Sequence, residues 1–326
     1  MKPLAALPLS ALLLLTAPAG AQGSLPVSAA SALAANQLHD GRLLDAGWRL
    51  ATGNAPFCAS TSLQIGLLLQ DVMLFDQPAL ARRTLGMAGD FTIAAVAQDS
   101  PAALAGLVPG QEVVAVGNQA LAALPAGQPG DFRRLGKVEA LMESTLAKHG
   151  TVDLTLREAD GSLSQRSIAG VRACRGRFEL RNSGARAEAD GERILIGRDF
   201  AAHLPAADWL SDAEFAGIVA HEFAHVILAH GAWLDRAGRD DAEIRRTERE
   251  ADRLAIWLLA NAGYDPVPFA QLLGDWGRRG RNGPPQSPTH DEWAARAAQA
   301  RTEVAAMRAA LLARGVADWS RDFHRE

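Results

Sequence analysis

The segment His221-Glu222-Phe223-Ala224-His225 has the residue types and spacing of a zinc-binding helix. Residues four apart leave a helix on the same face, so both imidazoles can reach one Zn²⁺ at about 2.0–2.1 Å. Glu222 would then lie beside the metal and could take a proton from water. Any motif this short can arise by chance. However, three titratable groups in so apolar a helix would be costly without a metal partner.

A third ligand is predicted in the helix expected over residues 240–262. Glu248 falls inside the apolar stripe of that helix, between Ile244 and Ala251. A carboxylate that points into a core is disfavoured unless it is paired or binds a metal. The spacing therefore predicts that Glu248 completes the ligand set.

Asp252 lies one turn after Glu248 on the same side of the helix. It is expected to accept the free N–H of a ligating histidine, because such acceptors fix the ring orientation. A surface ion pair with Arg249 or Arg253 is the alternative. Glu250 is predicted on the opposite face, exposed to solvent.

These two segments resemble the HtpX and CAAX-prenyl-protease family of gluzincin metallopeptidases. Residues 221–225 match its H-E-x-x-H motif, and residues 248–252 match its E-x-x-A-D motif, whose first glutamate is the third zinc ligand. The resemblance covers about residues 175–326 and implies one Zn²⁺ per chain, a zincin fold and peptidase activity. The short separation of His225 from Glu248 leaves no room for the membrane-spanning insertion of some relatives.

The segment around His290 also resembles that family, which has T-H-P-x-x-x-x-R where this chain has Thr289, His290, Asp291 and, later, Arg296. The resemblance implies that His290 reaches the zinc site as an oxyanion donor or a reversible fourth ligand. Arg296 is then expected among the groups that surround the ligands. A plain surface-loop histidine is the alternative. His230 is predicted to point to the other side of the helix from His221 and so not to serve as an extra ligand.

Residues 85–172 show the short strands, turns and single helix of a small β-rich domain. The stretch Ser100-Pro101-Ala102-Ala103-Leu104-Ala105-Gly106-Leu107-Val108-Pro109-Gly110-Gln111 resembles PDZ domains of bacterial proteases, although Gln111 replaces the usual acid. PDZ domains bind a peptide tail as an added strand beside a helix. The resemblance implies a carboxylate loop and a groove wall formed by Leu85, Gly86, Met87, Val138, Leu141 and Met142. The apolar helix residues among them could equally be core.

The first residues have the layout of a secretory signal. Lys2 precedes an apolar run over residues 4–18, and Ala19-Gly20-Ala21 fits a small-x-small cleavage site. The run is shorter than the roughly 20 residues needed to span a bilayer, which disfavours an uncleaved anchor. In an oxidising compartment Cys58 and Cys174 are expected to pair, with two buried thiols as the alternative. The chain is therefore predicted to be exported, most simply to the periplasm.

The chain has 326 residues and a net charge of −4 without a basic block, so several compact units are expected and nucleic acid is disfavoured as a partner. No later stretch is long and apolar enough to predict an integral membrane segment. The predicted organisation is a signal segment over 1–21, an N-terminal helical segment over 22–84, a PDZ-like domain over 85–172 and a metallopeptidase domain over 173–326. The fold class expected is α+β, with a small β-rich domain followed by a mostly helical zincin domain.

The expected function is zinc-dependent cleavage of protein or peptide substrates. By inference from the domain pairing, the PDZ-like domain would present exposed C-terminal tails for envelope protein quality control. One alternative is a PDZ-based binding or chaperone-like protein with a non-catalytic zinc site. Another is a zinc hydrolase acting on a different exported substrate, such as cell-wall peptide.

Overall fold

The computed structural model describes residues 28–181, 184, 186–197, 210–279 and 289–326, so the predicted signal segment lies outside the described part. Within these residues the chain is a mixed α+β protein. The strands are β1 (Thr61–Gln64), β2 (Leu67–Asp71), β3 (Phe91–Val96), β4 (Glu112–Val116), β5 (Gln119–Ala120), β6 (Thr151–Arg157), β7 (Leu163–Ala169), β8 (Val171–Cys174), β9 (Arg177–Arg181), β10 (Ala187–Asp190) and β11 (Arg193–Gly197). The helices are α1 (Ser28–Gly53), α2 (Pro78–Leu85), α3 (Pro101–Leu104), α4 (Arg133–His149), α5 (Asp212–Ile227), α6 (His230–Ala237), α7 (Asp241–Asn261), α8 (Val267–Arg279), α9 (Trp293–Arg314) and α10 (Trp319–Asp322).

The main sheet is antiparallel and follows the order β2-β3-β4-β6-β7, with β5 paired to β4. Helix α4 covers one face, where Val138 and Leu146 are buried in the same apolar cluster as Leu154 and Leu156 of β6. Strand β2 pairs with β3, so the sheet includes residues that the sequence assigned to a helical segment over 22–84. The sheet therefore begins before the predicted boundary at residue 85.

Helix α1 packs into the core of the C-terminal helices. Its Leu43, Ala46 and Leu50 are buried in one apolar cluster with residues of α5 and α7. Arg42 also donates to the carbonyl oxygen of Leu210, just before α5, at 2.6 Å. The main sheet is thus an insertion in the sequence between two parts of one helical core.

Helix α5 begins at a capping box. Ser211 Oγ accepts from the backbone N–H of Glu214, whose carboxylate accepts from the N–H of Ser211. The helix ends at Ile227, and the chain turns at Ala229, whose φ of 52° lies in the left-handed region. Helices α5 and α6 are therefore separate and meet at a bend of 52°. Among the described helices none is by itself long and apolar enough to cross a membrane, although the bent pair α5–α6 together passes that test.

A disulfide joins Cys58 to Cys174, and this prediction is confirmed. Cys174 lies on β8 directly opposite Thr61 of β1, so the bond closes one end of the two-stranded sheet that these strands form. The two cysteines are 116 positions apart, and the main sheet lies between them in sequence. Such a bond fits a protein that folds in an oxidising compartment.

Candidate metal centre

Helices α5 and α7 pack against each other and bring the three predicted ligands together. Nε2 of His221 lies 3.3 Å from Nε2 of His225 and 3.2 Å from Oε2 of Glu248. Nε2 of His225 lies 3.6 Å from Oε1 of the same carboxylate. Tetrahedral bonds of about 2.0–2.1 Å separate two ligand atoms by roughly 3.3 Å. The cluster therefore has the dimensions of a site that could hold a metal ion.

The state of Glu248 also fits a cation. Its Oε2 is buried and makes no well-directed hydrogen bond within the described residues, although imidazole nitrogens surround it. Burial would raise the pKa of this carboxyl, but the neighbouring imidazoles, His225 above all, hold it well below its usual value. Burial would lower the pKa of His221, yet Asp252 and Glu248 raise it to about 10. Both pKa shifts favour a positive charge beside the Glu248 carboxylate. A metal ion can supply this charge by displacing protons from the imidazoles.

Asp252 orients the first ligand. Its Oδ1 lies 2.9 Å from Nδ1 of His221, the ring nitrogen that does not face Glu248. Arg296, on α9, donates to both carboxylate oxygens of Asp252 at 2.7 and 2.8 Å. Burial would raise the pKa of Asp252, but Arg296 and His221 lower it strongly, so the group remains an ionised acceptor. His221 is therefore held by a buried carboxylate that is itself fixed at two points.

Arg249 and Arg253, the alternative ion-pair partners predicted for Asp252, pair with other acidic residues instead. Arg249 donates to the carboxylate of Glu326 at 2.8 and 3.0 Å, and Arg253 donates to Glu303 at 2.8 Å. Asp252 faces inward and is fully buried, because it lies one helical turn from Glu248 on the face of α7 that packs against α5.

The predicted placement of Glu250 is wrong. Glu250 is expected in solvent but is fully buried, with Oε2 3.1 Å from Nε2 of His230. His230 is not one of the three clustered residues, but its Nδ1 lies 2.9 Å from Nδ1 of His225, a contact that the sequence does not predict. The reason is the turn at Ala229, which starts α6 in a new direction. Burial lowers the pKa of His230 to about 4, so this ring is neutral near neutral pH.

The sequence gives no clear signal for the contact between His230 and Glu250. A periodicity argument assumes a continuous helix, and here the break depends on a left-handed residue, Ala229, that is not a glycine. Glu250 looked exposed because the face it shares on α7 is covered by the distant residues Arg325 and Glu326.

Glu222 is buried on α5 next to the first ligand. Burial raises the pKa of its carboxyl, although the charges of His221 and His225 act in the opposite direction. The raised pKa brings this group closer to the range in which it can take and return a proton near neutral pH. Strand β10 packs against α5, and its Glu188 also raises the pKa of Glu222. Among the described strands β10 pairs only with β11, so its other edge is open.

The structure brings His290 to the cluster as well. Its Nε2 lies 2.9 Å from Oε2 of Glu248, and about a quarter of its side chain, 26%, is exposed. It stands just before α9, the helix that carries Arg296. His290 is therefore not an isolated surface residue, and its role as a donor or a fourth ligand stays a prediction.

The six residues predicted for a peptide groove do not form one surface. Met142 lines a cavity of about 190 Å³ between α4 and residues 62–69. Leu141 instead lines a depression beside β4 and β6, and Val138 is buried in the core. Leu85, Gly86 and Met87 lie at the end of α2 and line neither space. The predicted carboxylate loop therefore shares neither of these two spaces with α4.

The cavity next to Met142 is bordered by an open strand edge. Strand β2 pairs only with β3 among the described strands, and α4 lies across the cavity from it. The turn into β2 contains Gly66 with a φ of 71°, where a side chain would collide with Ser100. Trp48 of α1 and Phe178 of β9 line the cavity from the helical part. An open edge beside a helix is the arrangement that an extended peptide tail needs.

Comparison with known proteins assigns no family to this chain. No family model matches the sequence. No curated protein is similar enough in sequence to count as a relative. Function is therefore inferred from the geometry of the cluster and its surroundings.

Proposed function

We propose that the chain is an exported zinc-dependent endopeptidase that cleaves protein or peptide substrates. The observation that carries this proposal is the convergence of His221, His225 and Glu248 on one point beside the buried Glu222. Three protein ligands leave the fourth position of a zinc ion open, as catalytic zinc sites require. Imidazole nitrogens suit zinc better than magnesium or calcium, which prefer oxygen ligands.

A zinc ion held there would supply Lewis acidity toward the scissile carbonyl and toward water. Glu222 would accept a proton on its carboxylate as water attacks the carbonyl carbon, and would return it to the nitrogen of the leaving amine. His290 would donate from Nε2 to the oxyanion or bind the metal reversibly in the resting enzyme, and its contact with Glu248 supports these two roles. An extended substrate would pair with the open edge of β10, which runs beside α5.

The cavity beside β2 supports a second part of the proposal. We infer that exposed tails of protein substrates bind there as an added strand, between β2 and α4, and are thereby presented to the peptidase. This arrangement suits the removal of damaged envelope proteins, because an unfolded protein offers a free tail. The proposed groove lies beside the turn at Gly66 and not at the predicted loop around Leu85.

The test is metal analysis of the purified chain combined with digestion of casein. We expect about one zinc per chain, with cleavage that a chelator abolishes and added zinc restores. Glu222→Gln should lower kcat by at least about 100-fold while zinc is retained. Asp235→Asn, at an exposed position on α6, is the matched control and should cleave normally. Zinc binding without any cleavage of casein or other peptides would favour a binding protein with a non-catalytic metal.

A further inference from the structure

The second ligand, His225, also has a partner on its outer ring nitrogen. Nε2 of His225 faces Glu248, so Nδ1 carries the hydrogen when Nε2 binds a metal. This N–H points to Nδ1 of His230 at 2.9 Å, which must therefore accept. His230 then carries its own hydrogen on Nε2, which lies 3.1 Å from Oε2 of Glu250. The donors thus run in one direction, from the ligand through a second imidazole to a carboxylate.

The carboxylate at the end of this series is fixed by residues far away in sequence. Nε of Arg325 donates to Oε2 of Glu250 at 2.7 Å, and the backbone N–H of Glu326 donates to Oε1 at 2.9 Å. Arg325 also donates to the carbonyl oxygen of Leu228, at the end of α5, at 3.1 Å. Residues 325–326 therefore tie the end of the first ligand helix to the face of α7 that carries Glu250.

We propose that His230, Glu250 and Arg325 position His225 for metal binding, so that residues 325–326 set how tightly the site holds its metal. This inference rests on the proposed metal site. The two imidazole ligands are then held by different means, since His221 contacts a carboxylate directly and His225 does so through His230. The contacts of this second series are 2.9, 3.1 and 2.7 Å, so each of its three links is a hydrogen bond of ordinary length.

If His230, Glu250 and Arg325 had a purely structural role, different contacts would be expected. If Glu250 needed only a counter-charge in the core, Arg246 would supply part of it, since its Nε lies 3.6 Å from Oε1. That contact gives no reason for a neutral imidazole aimed at the outer nitrogen of a ligand. The positioning role therefore concerns metal affinity and ligand geometry, beyond the stability of the fold.

The test measures zinc affinity of the full chain by competition with a chromogenic chelator. Loss of a hydrogen-bonding partner of a ligand typically weakens metal binding by 10- to 100-fold, and we expect about this loss for His230→Ala. Arg325→Ala, which acts two links further away than His230, should weaken binding by about 10-fold, and Arg325→Lys should recover part of it. His149→Ala and Arg321→Ala remove the same side chains at exposed positions and should bind zinc as the unaltered chain does.

A second measurement separates positioning from folding. The visible spectrum of the cobalt-substituted protein reports ligand geometry, and we expect it to change in His230→Ala and Arg325→Ala but not in the controls. Glu250→Gln serves where His230→Ala does not fold. Variants that lose thermal stability without metal but keep the unaltered zinc affinity and cobalt spectrum would overturn the inference. A parent chain that binds no zinc would instead overturn the proposed function.

Discussion

His221 and Asp252 stand on different helices and meet in the core through Nδ1 and Oδ1 at 2.9 Å. The contact connects the predicted metal ligand on α5 to the helix that carries Glu248, the third predicted ligand. Because Arg296 binds both oxygens of Asp252, the carboxylate cannot rotate freely, and the orientation of the His221 ring follows from it.

We expect Asp252→Asn to weaken zinc binding by about 10- to 100-fold, since the amide is a poorer acceptor for the ligand. It would also leave Arg296 buried without its counter-charge, and breaking such a pair costs about 3–5 kcal/mol. Chelator competition measures the first effect, and urea unfolding of the metal-free protein measures the second. Asp241→Asn, exposed on the same helix, is the control. Equal zinc affinity in both variants would contradict the role of Asp252.

The role of His290 can be resolved with His290→Ala. If the ring donates to the oxyanion, kcat for casein should fall by about 100-fold while zinc affinity is unchanged. If the ring is a reversible fourth ligand, zinc affinity should fall and cleavage should persist. Steady-state kinetics and chelator competition on one preparation distinguish these cases. Unchanged kcat and unchanged zinc affinity would show that His290 acts in neither role.

The packing of the ligand helix is tested at Gly217. A Cβ at this position would collide with the ring of Phe269 on α8, so α5 and α8 would have to separate. We expect Gly217→Ala to lower the free energy of unfolding by about 1–3 kcal/mol. Gly136→Ala on α4 has open space around it and should be neutral or stabilising by up to about 1 kcal/mol. Urea denaturation compares the two, and equal effects would argue against close packing at Gly217.

The disulfide between Cys58 and Cys174 is expected to be a large contributor to stability. It closes a loop of 116 positions, and replacing both cysteines by alanine should lower the free energy of unfolding by about 4–5 kcal/mol on the chain-entropy model. Denaturation with and without a reductant is the measurement. The reductant should destabilise the parent chain and leave the double variant unaffected. A reductant effect of similar size in both would point to another cause.

A pH effect is expected beside the main sheet, away from the candidate metal centre. Asp90 accepts from Arg82 at 2.7 Å and pairs with Arg134 at 2.8 Å. Burial would raise the pKa of Asp90, but these two guanidinium groups lower it below 3.8. A carboxyl whose pKa is lower in the folded state stabilises the fold above its unfolded pKa, and this contribution is lost as the pH falls through the folded value.

At pH 6 the free energy of unfolding should therefore be higher for the parent chain than for Asp90→Asn. The difference should shrink as the pH falls below about 4. Urea unfolding of the two proteins over this pH range measures the difference. A difference that stays constant with pH would show that ionisation of Asp90 contributes nothing.

Local patterns in the sequence predicted much of the site. The spacing of His221 and His225 predicts that both rings lie on one face of the helix. The apolar stripe around Glu248 predicts that its carboxylate points inward, and the structure brings these three side chains together. These predictions agree with the structure because each depends on the period of a helix, which neighbouring residues determine.

The partners of His225 and the cavity beside β2 were decided only by tertiary structure. His230 turns toward the ligand because the chain breaks at Ala229, and Glu250 is buried because Arg325 reaches it from a distant part of the sequence. Strand β2 became the open edge beside α4 through its pairing with β3. Sequence periodicity shows which side chains share a face of one element. What covers that face depends on free-energy differences summed over contacts between distant residues, and no local pattern contains them.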